Sequence, residues 1–122
     1  MIHKHLIIRA EVKNPITETE VAAKWLERVV KAIDMKITEH GGPYVDYVNK
    51  PNNCGIAGIV MIETSHCSLH IWDKIEPPLV QFDIYSCAEF DEKQVLKLLD
   101  EMNPTKIDHI CLDRKNSLKE IK

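Results

Sequence analysis

The chain has 122 residues, of which 44% are hydrophobic and 29% charged, and its formal net charge is −3. That length and apolar content suit one domain, residues 1–122, with one core. The mild acidity argues against nucleic acid or an anionic membrane as partner, because both recruit basic surfaces, and no apolar run approaches the roughly 18 residues a membrane helix needs.

The elements read off in chain order. HKHLIIRAEV, residues 3–12, predicts a first strand. The N-terminal stretch is too short and polar for a signal peptide, so a cytoplasmic location is expected. Residues 17–35 predict a helix: Thr17 and Glu20 match a capping box, and Val21, Trp25, Val29 and Ile33 recur every fourth residue as a core stripe. A short extended piece around 36–40 ends at Gly41-Gly42-Pro43. Tyr44–Val48 continues as a strand, 50–53 is a loop holding Cys54 at its end, and GIAGIVMIE at 55–63 and HCSLHIW at 66–72 are β-rich. After the proline-broken loop 74–78, LVQFDIYSC at 79–87 alternates, with Val80, Phe82, Ile84 and Ser86 on one side.

A second helix is expected over 91–102, capped by Asp91 with Gln94, its apolar face made of Val95, Leu98, Leu99 and Met102. Pro104 separates it from a last strand, 106–112, and the polar tail 113–122 is expected to fray. Consecutive strands between two helices predict an α+β fold: a two-layer α/β sandwich, with one mainly antiparallel sheet carrying both helices on one face. The other face is then available for a homodimer.

Residues 64–72, TSHCSLHIW, gather reactive side chains. As metal ligands they fit poorly. His66 and His70 lie about 13 Å apart on a strand, whereas two ligands of one zinc each sit about 2.0–2.3 Å from it. The four cysteines, 54, 67, 87 and 111, contain no CxxC pair and are expected as thiols in a reducing compartment, with Cys67 and Cys111 packed in the core. No metal site is expected. Ser65 beside His66 lacks the strained elbow of a hydrolase nucleophile. On side-chain types alone, Ser65, His66 and His70 read as hydrogen-bonded polar residues on a half-exposed face.

The same stretch resembles the signature of the bacterial and archaeal S-adenosylmethionine decarboxylases, roughly Glu-Ser-His-x-(Ser/Thr)-Ile-His-(Thr)-Trp. Asp83-Ile84-Tyr85-Ser86-Cys87 is similar to that family's later Asp-x-(Phe/Tyr)-(Thr/Ser)-Cys, two residues further along than its usual spacing. Residues 55–60, GIAGIV, resemble its Gly-Val-Ser-Gly-Val-Val, and His5-Leu6 resembles its first strand.

The resemblance implies a proenzyme that cuts itself between Thr64 and Ser65 and converts Ser65 into a pyruvoyl cofactor. Such a group captures the substrate amine and accepts the electrons released by decarboxylation, as pyridoxal phosphate does elsewhere. It implies His70 as the processing histidine, Cys87 as the proton donor to the decarboxylated carbon, and Trp72 and Glu76 as substrate contacts. The implied function is decarboxylation of S-adenosylmethionine for spermidine and polyamine biosynthesis.

Four positions depart from the pattern: Thr64 for Glu, Ala57 for the assisting serine, Lys50-Pro51 for an aromatic, and Arg9 for an acid. The first two bear on self-cleavage and leave open an uncut, non-catalytic homologue that binds a ligand or regulates a partner. The last two bear on the substrate and leave open another amino acid, such as ornithine or arginine.

Overall fold

A computed structural model describes residues 1–122. In chain order it contains β1 (Lys4–Val12), α1 (Thr19–Ala32), β2 (Tyr44–Lys50), β3 (Asn53–Ile62), β4 (Ser65–Trp72), β5 (Leu79–Ser86), α2 (Glu92–Leu99), β6 (Pro104–Asp113) and β7 (Lys119–Ile121), with a 3₁₀ turn at Asp100–Met102 extending α2. The strands form one sheet in the order β2-β3-β4-β5-β1-β6-β7, and every neighbouring pair is antiparallel. This is the α+β sandwich expected from the sequence.

Strand alternation builds the core. Leu6, Ile8, Ala10 and Val12 of β1, Cys67, Leu69 and Ile71 of β4, and Val80, Phe82 and Ile84 of β5 are all buried toward the helices. Trp25 of α1 lies edge-on to Phe82, with ring centroids 5.1 Å apart, a geometry worth about 0.5–1.5 kcal/mol beyond area burial. Its indole N–H donates to the Leu98 carbonyl at 3.1 Å, tying α1 to α2 across the core. Gly55 of β3 has φ +147°, and a Cβ there would stand 1.7 Å from the Ile71 carbonyl oxygen, so only glycine lets β3 approach the end of β4.

Several local expectations are corrected. α1 begins at Thr19, after an extended Glu18 that makes no side-chain cap, so the Thr17–Glu20 box does not form. The preceding chain is held extended because Lys13 and Asn14 donate to the Asn103 and Met102 carbonyls while Ile16 packs on the core. Val21 is 43% exposed: a four-residue spacing drifts about 40° per step on a 3.6-residue helix, which turns the first member of the stripe away. Ala22, Trp25, Leu26, Val29 and Val30 form the buried face. The stretch 36–40 contributes a single bridge, Ile37 to Ile62, and Cys54 belongs to β3. The tail 113–122 does not fray entirely. Arg114 N–H donates to the His3 carbonyl at 2.8 Å, and β7 then pairs with the open edge of β6.

Candidate active site

The face of the sheet away from the helices carries the chemistry. Across the strands, His5, Tyr85, His66 and Met61 lie in one row, Ile7, Asp83, Ser68 and Ile59 in the next, and Arg9, Gln81, His70 and Ala57 in a third. Alternation puts these side chains opposite the buried set, so the polar members and the exposed Ile7, Ile59 and Met61 share one open surface.

Thr64 and Ser65 stand where β3 turns into β4. Ser65 has φ +151°, a region sparsely populated by any residue with a side chain and costing on the order of 1–3 kcal/mol. The surroundings over-determine it: Ser65 is paired with Ile62 of β3 and with Ser86 of β5, and the Thr64 carbonyl accepts the Cys87 N–H at 2.9 Å. The Thr64 hydroxyl donates to the Met35 sulfur at 2.8 Å. The peptide between Thr64 and Ser65 is therefore strained at its serine, and its carbonyl is already polarised by a main-chain donor. Thr64, Ser65 and Cys87 are brought together at one end of the sheet.

His70, Trp72 and Glu76 lie toward the other end. Five residues of strand separate Ser65 from His70, about 16 Å, so one chain does not bring the two side chains into contact. His70 stacks on Trp72 with centroids 6.1 Å apart, and the Trp72 indole N–H donates to Asn53 Oδ1 at 3.0 Å. Glu76 is exposed in the β4–β5 loop. Ala57 is directly opposite His70 on β3, leaving no hydroxyl there. Pro51 is exposed in the β2–β3 turn. Arg9 is not a lone cation, because its Nη1 bonds Glu11 Oε2 at 2.9 Å on the same strand face. The acid missing at position 9 thus has a carboxylate neighbour two residues along. No group of three or more His, Cys, Asp or Glu side chains is placed to hold a metal ion.

Between these two ends runs a polar network to which sequence reading assigned no roles. His5 Nε2 bonds Asp83 Oδ2 at 2.7 Å, and the Ser68 hydroxyl donates to the other carboxylate oxygen. Arg114 Nη1 lies 3.3 Å from His5 Nδ1. A guanidinium can only donate, so His5 Nδ1 accepts and its Nε2–H donates to Asp83. Arg114 also covers the Tyr85 ring at 4.0 Å, and the Tyr85 hydroxyl bonds His3 Nδ1 at 2.8 Å. Asp83 gave a signal, a carboxylate alternating outward in an apolar strand. Arg114 gave none, since it sits in the stretch expected to fray. The thiols divide by burial. Cys67 is fully buried, and burial, aided by the Asp83 charge, pushes its thiol up to about 12. Burial likewise raises Cys111.

The fold and the junction together define a two-layer α+β sandwich whose single sheet carries a strained serine, with its preceding carbonyl held by a backbone amide. A family model described as S-adenosylmethionine decarboxylase matches residues 4–115. The chain belongs to the S-adenosylmethionine decarboxylase family. It is 34% identical over 101 residues to the S-adenosylmethionine decarboxylase proenzyme of Archaeoglobus fulgidus, covering 81% of this chain and 83% of that protein. It is 26% identical over 87 residues to the proenzyme of Clostridium botulinum strain Langeland, covering 70% and 68%. The crystal structure of the adenosylmethionine decarboxylase from Aquifex aeolicus VF5 superposes with a TM-score of 0.72 at 22% identity, covering 93% of this chain and 90% of that one, which bears on the fold alone.

Proposed function

We infer that this chain is a self-cleaving proenzyme that becomes a pyruvoyl-dependent S-adenosylmethionine decarboxylase of polyamine and spermidine biosynthesis. The observation that carries the reading is the Thr64-Ser65 junction: φ +151° at the serine, and a 2.9 Å bond from the Cys87 amide to the carbonyl that would be attacked.

In the first step the Ser65 hydroxyl oxygen adds to the Thr64 carbonyl carbon. The carbonyl electron pair moves onto oxygen, where the Cys87 N–H opposes the developing charge. Collapse breaks the bond to the Ser65 nitrogen, which takes up the hydroxyl proton, and leaves an ester. The strain at Ser65 is relieved as that peptide bond breaks. Removal of the Ser65 α-proton then expels the ester oxygen as the carboxylate of residues 1–64 and leaves a dehydroalanine, whose imine form takes up water and releases the Ser65 nitrogen as ammonia, so that the chain of 65–122 begins in a pyruvoyl group. The pyruvoyl group supplies an electron-accepting carbonyl for loss of CO₂. In this reading Cys87, one residue beyond β5 and at the same end of the sheet as Ser65, gives a proton to the carbon that loses CO₂. Fragments 1–64 and 65–122 stay joined because β1 and β3 pair with strands of the second fragment.

The separation of Ser65 from His70 supports a homodimer. In such a homodimer, with the open faces of two copies apposed about a two-fold axis, the partner subunit would supply His70, Trp72 and Glu76 to the site of Ser65 and Cys87. Exposed Ile7, Ile59 and Met61 supply apolar area for that contact. The four free thiols fit a reducing, cytoplasmic setting. A second reading, an uncut homologue that binds a ligand or regulates a partner, draws on Ala57 opposite His70, where the assisting hydroxyl is missing. Release of ¹⁴CO₂ from carboxyl-labelled S-adenosylmethionine, ornithine and arginine tests the reading. Release from S-adenosylmethionine, abolished by Ser65→Ala, is expected. No release from any of the three contradicts the enzyme, and release from ornithine or arginine alone reassigns its substrate.

A further inference from the structure

The geometry points to Ser86 as a positioning residue for self-cleavage: its buried hydroxyl closes the 86–88 turn and so aims the Cys87 amide at the Thr64 carbonyl. This rests on the self-cleavage reading and assigns a part of it to a residue outside the reacting atoms.

Ser86 is a misfit by core logic. It continues the buried series Val80, Phe82, Ile84 and is itself fully buried, where an unpaired hydroxyl costs about 1–3 kcal/mol. The hydroxyl is paired, and its oxygen partners both belong to one residue, with the Met35 sulfur a longer contact at 3.6 Å. Oγ donates to the Ala88 carbonyl at 2.9 Å and accepts the Ala88 N–H at 3.0 Å. The second contact is the serine turn in which a side chain stands in for a backbone carbonyl. It fixes the chain immediately after β5, and Cys87 is the residue enclosed.

Two further contacts place that turn against the junction. Ser86 lies directly opposite Ser65 across the β4–β5 ladder. The Met35 sulfur lies between the two sides, 3.6 Å from the Ser86 hydroxyl and 2.8 Å from that of Thr64. These contacts join the turn, the donor it presents and the carbonyl that receives it. Without the Ser86 hydroxyl, the Ala88 N–H loses its partner and residues 87–88 are free to pivot. The Cys87 amide then no longer meets the oxyanion as it forms.

The test follows proenzyme made by cell-free synthesis, sampled for intact mass with and without hydroxylamine, which traps the ester by cleaving it. In the Ser86→Ala variant, formation of hydroxylamine-sensitive ester should slow by at least about tenfold, part of the 10²–10³ that outright loss of an oxyanion donor brings. Ser86→Thr, which keeps the hydroxyl, should stay within about threefold of the parent rate, and melting temperatures should stay close together. Where Ser86→Ala melts below the assay temperature, Ser86→Cys fills the same space with a weaker hydrogen-bonding group, and the same slowing is expected. If the parent chain forms ester and a folded Ser86→Ala or Ser86→Cys forms it equally fast, the positioning role is overturned and the self-cleavage reading stands. If Ser86→Thr is as slow as Ser86→Ala, the hydroxyl is not what matters and the role is also overturned. If the parent never forms ester, the self-cleavage reading falls and takes this role with it.

Discussion

Ser65→Gly should be more stable than Ser65→Ala, although neither variant can cut. Both lack the nucleophile, so both remain whole and can be compared by equilibrium unfolding. Alanine retains a Cβ at φ +151° and so retains the roughly 1–3 kcal/mol cost of that conformation. Glycine adopts it freely but adds about 0.4–1 kcal/mol of unfolded-chain entropy, which acts the other way. The difference expected is about 1 kcal/mol in favour of glycine. For a 122-residue chain, with about 2.1 cal/mol/K of unfolding entropy per residue, that raises the melting temperature by about 4 °C. Calorimetry and urea titration both read it. A glycine variant that melts at or below the alanine variant would refute the claim that the junction stores strain. In the proposed self-cleavage, about 2 kcal/mol of strain released by the transition state for ester formation would speed that step about thirtyfold.

Other outcomes follow from the same coordinates. Lys4 Nζ is bonded by Glu89 at 2.6 Å and Glu92 at 2.9 Å. Burial opposes its charge, but these two carboxylates outweigh burial and raise its pKa above 10.5, while the Lys4 bond leads in holding Glu92 below 4.5. The raised lysine contributes stability that is complete below 10.5 and fades as pH climbs through its folded value. The lowered glutamate contributes stability that is complete above 4.5 and fades as pH falls through its folded value. Lys4→Met should therefore flatten the stability profile at both ends, read as urea midpoints at pH 3, 7 and 11, and unchanged slopes would contradict the pairing. With a thiol-reactive chromophore at pH 8, the half-buried Cys54 and Cys87 should react before Cys67, which is fully buried with a pKa of about 12. First reaction at Cys67 in folded protein would contradict its placement. Cys87→Ala keeps the backbone N–H, so it should still cut, with turnover slowed by about 10²–10³ through loss of the proton donor. Undiminished turnover would remove the thiol from the mechanism.

The sheet was legible because its strands alternate cleanly. The alternation of residues 79–87 puts Val80, Phe82, Ile84 and Ser86 on one side of a strand, and all four are buried together. Element ends were less legible. Thr17 and Glu20 match a capping box, yet tertiary contacts around Ile16 hold the chain extended past Thr17, and local pattern loses to packing. At the site, chain order shows Ser65, His70 and Cys87 but not their distances. A strand carries Ser65 and His70 apart, whereas the β4–β5 ladder brings Cys87 back beside Thr64 from 23 positions along the chain. Arg114 could not be read at all, because its contacts with His5 and Tyr85 depend on where the last strands close the sheet. Ser86 was visible as a member of a buried face, but its hydroxyl bonds to Ala88 appear only once the turn after β5 is built.

The central claim is that the peptide between Thr64 and Ser65 breaks by itself. Intact mass of the purified chain after prolonged incubation tests it most directly. Two polypeptides divided between residues 64 and 65, the second without a free N-terminal amine, are predicted. A single species at 14.1 kDa that yields nothing to hydroxylamine would contradict it.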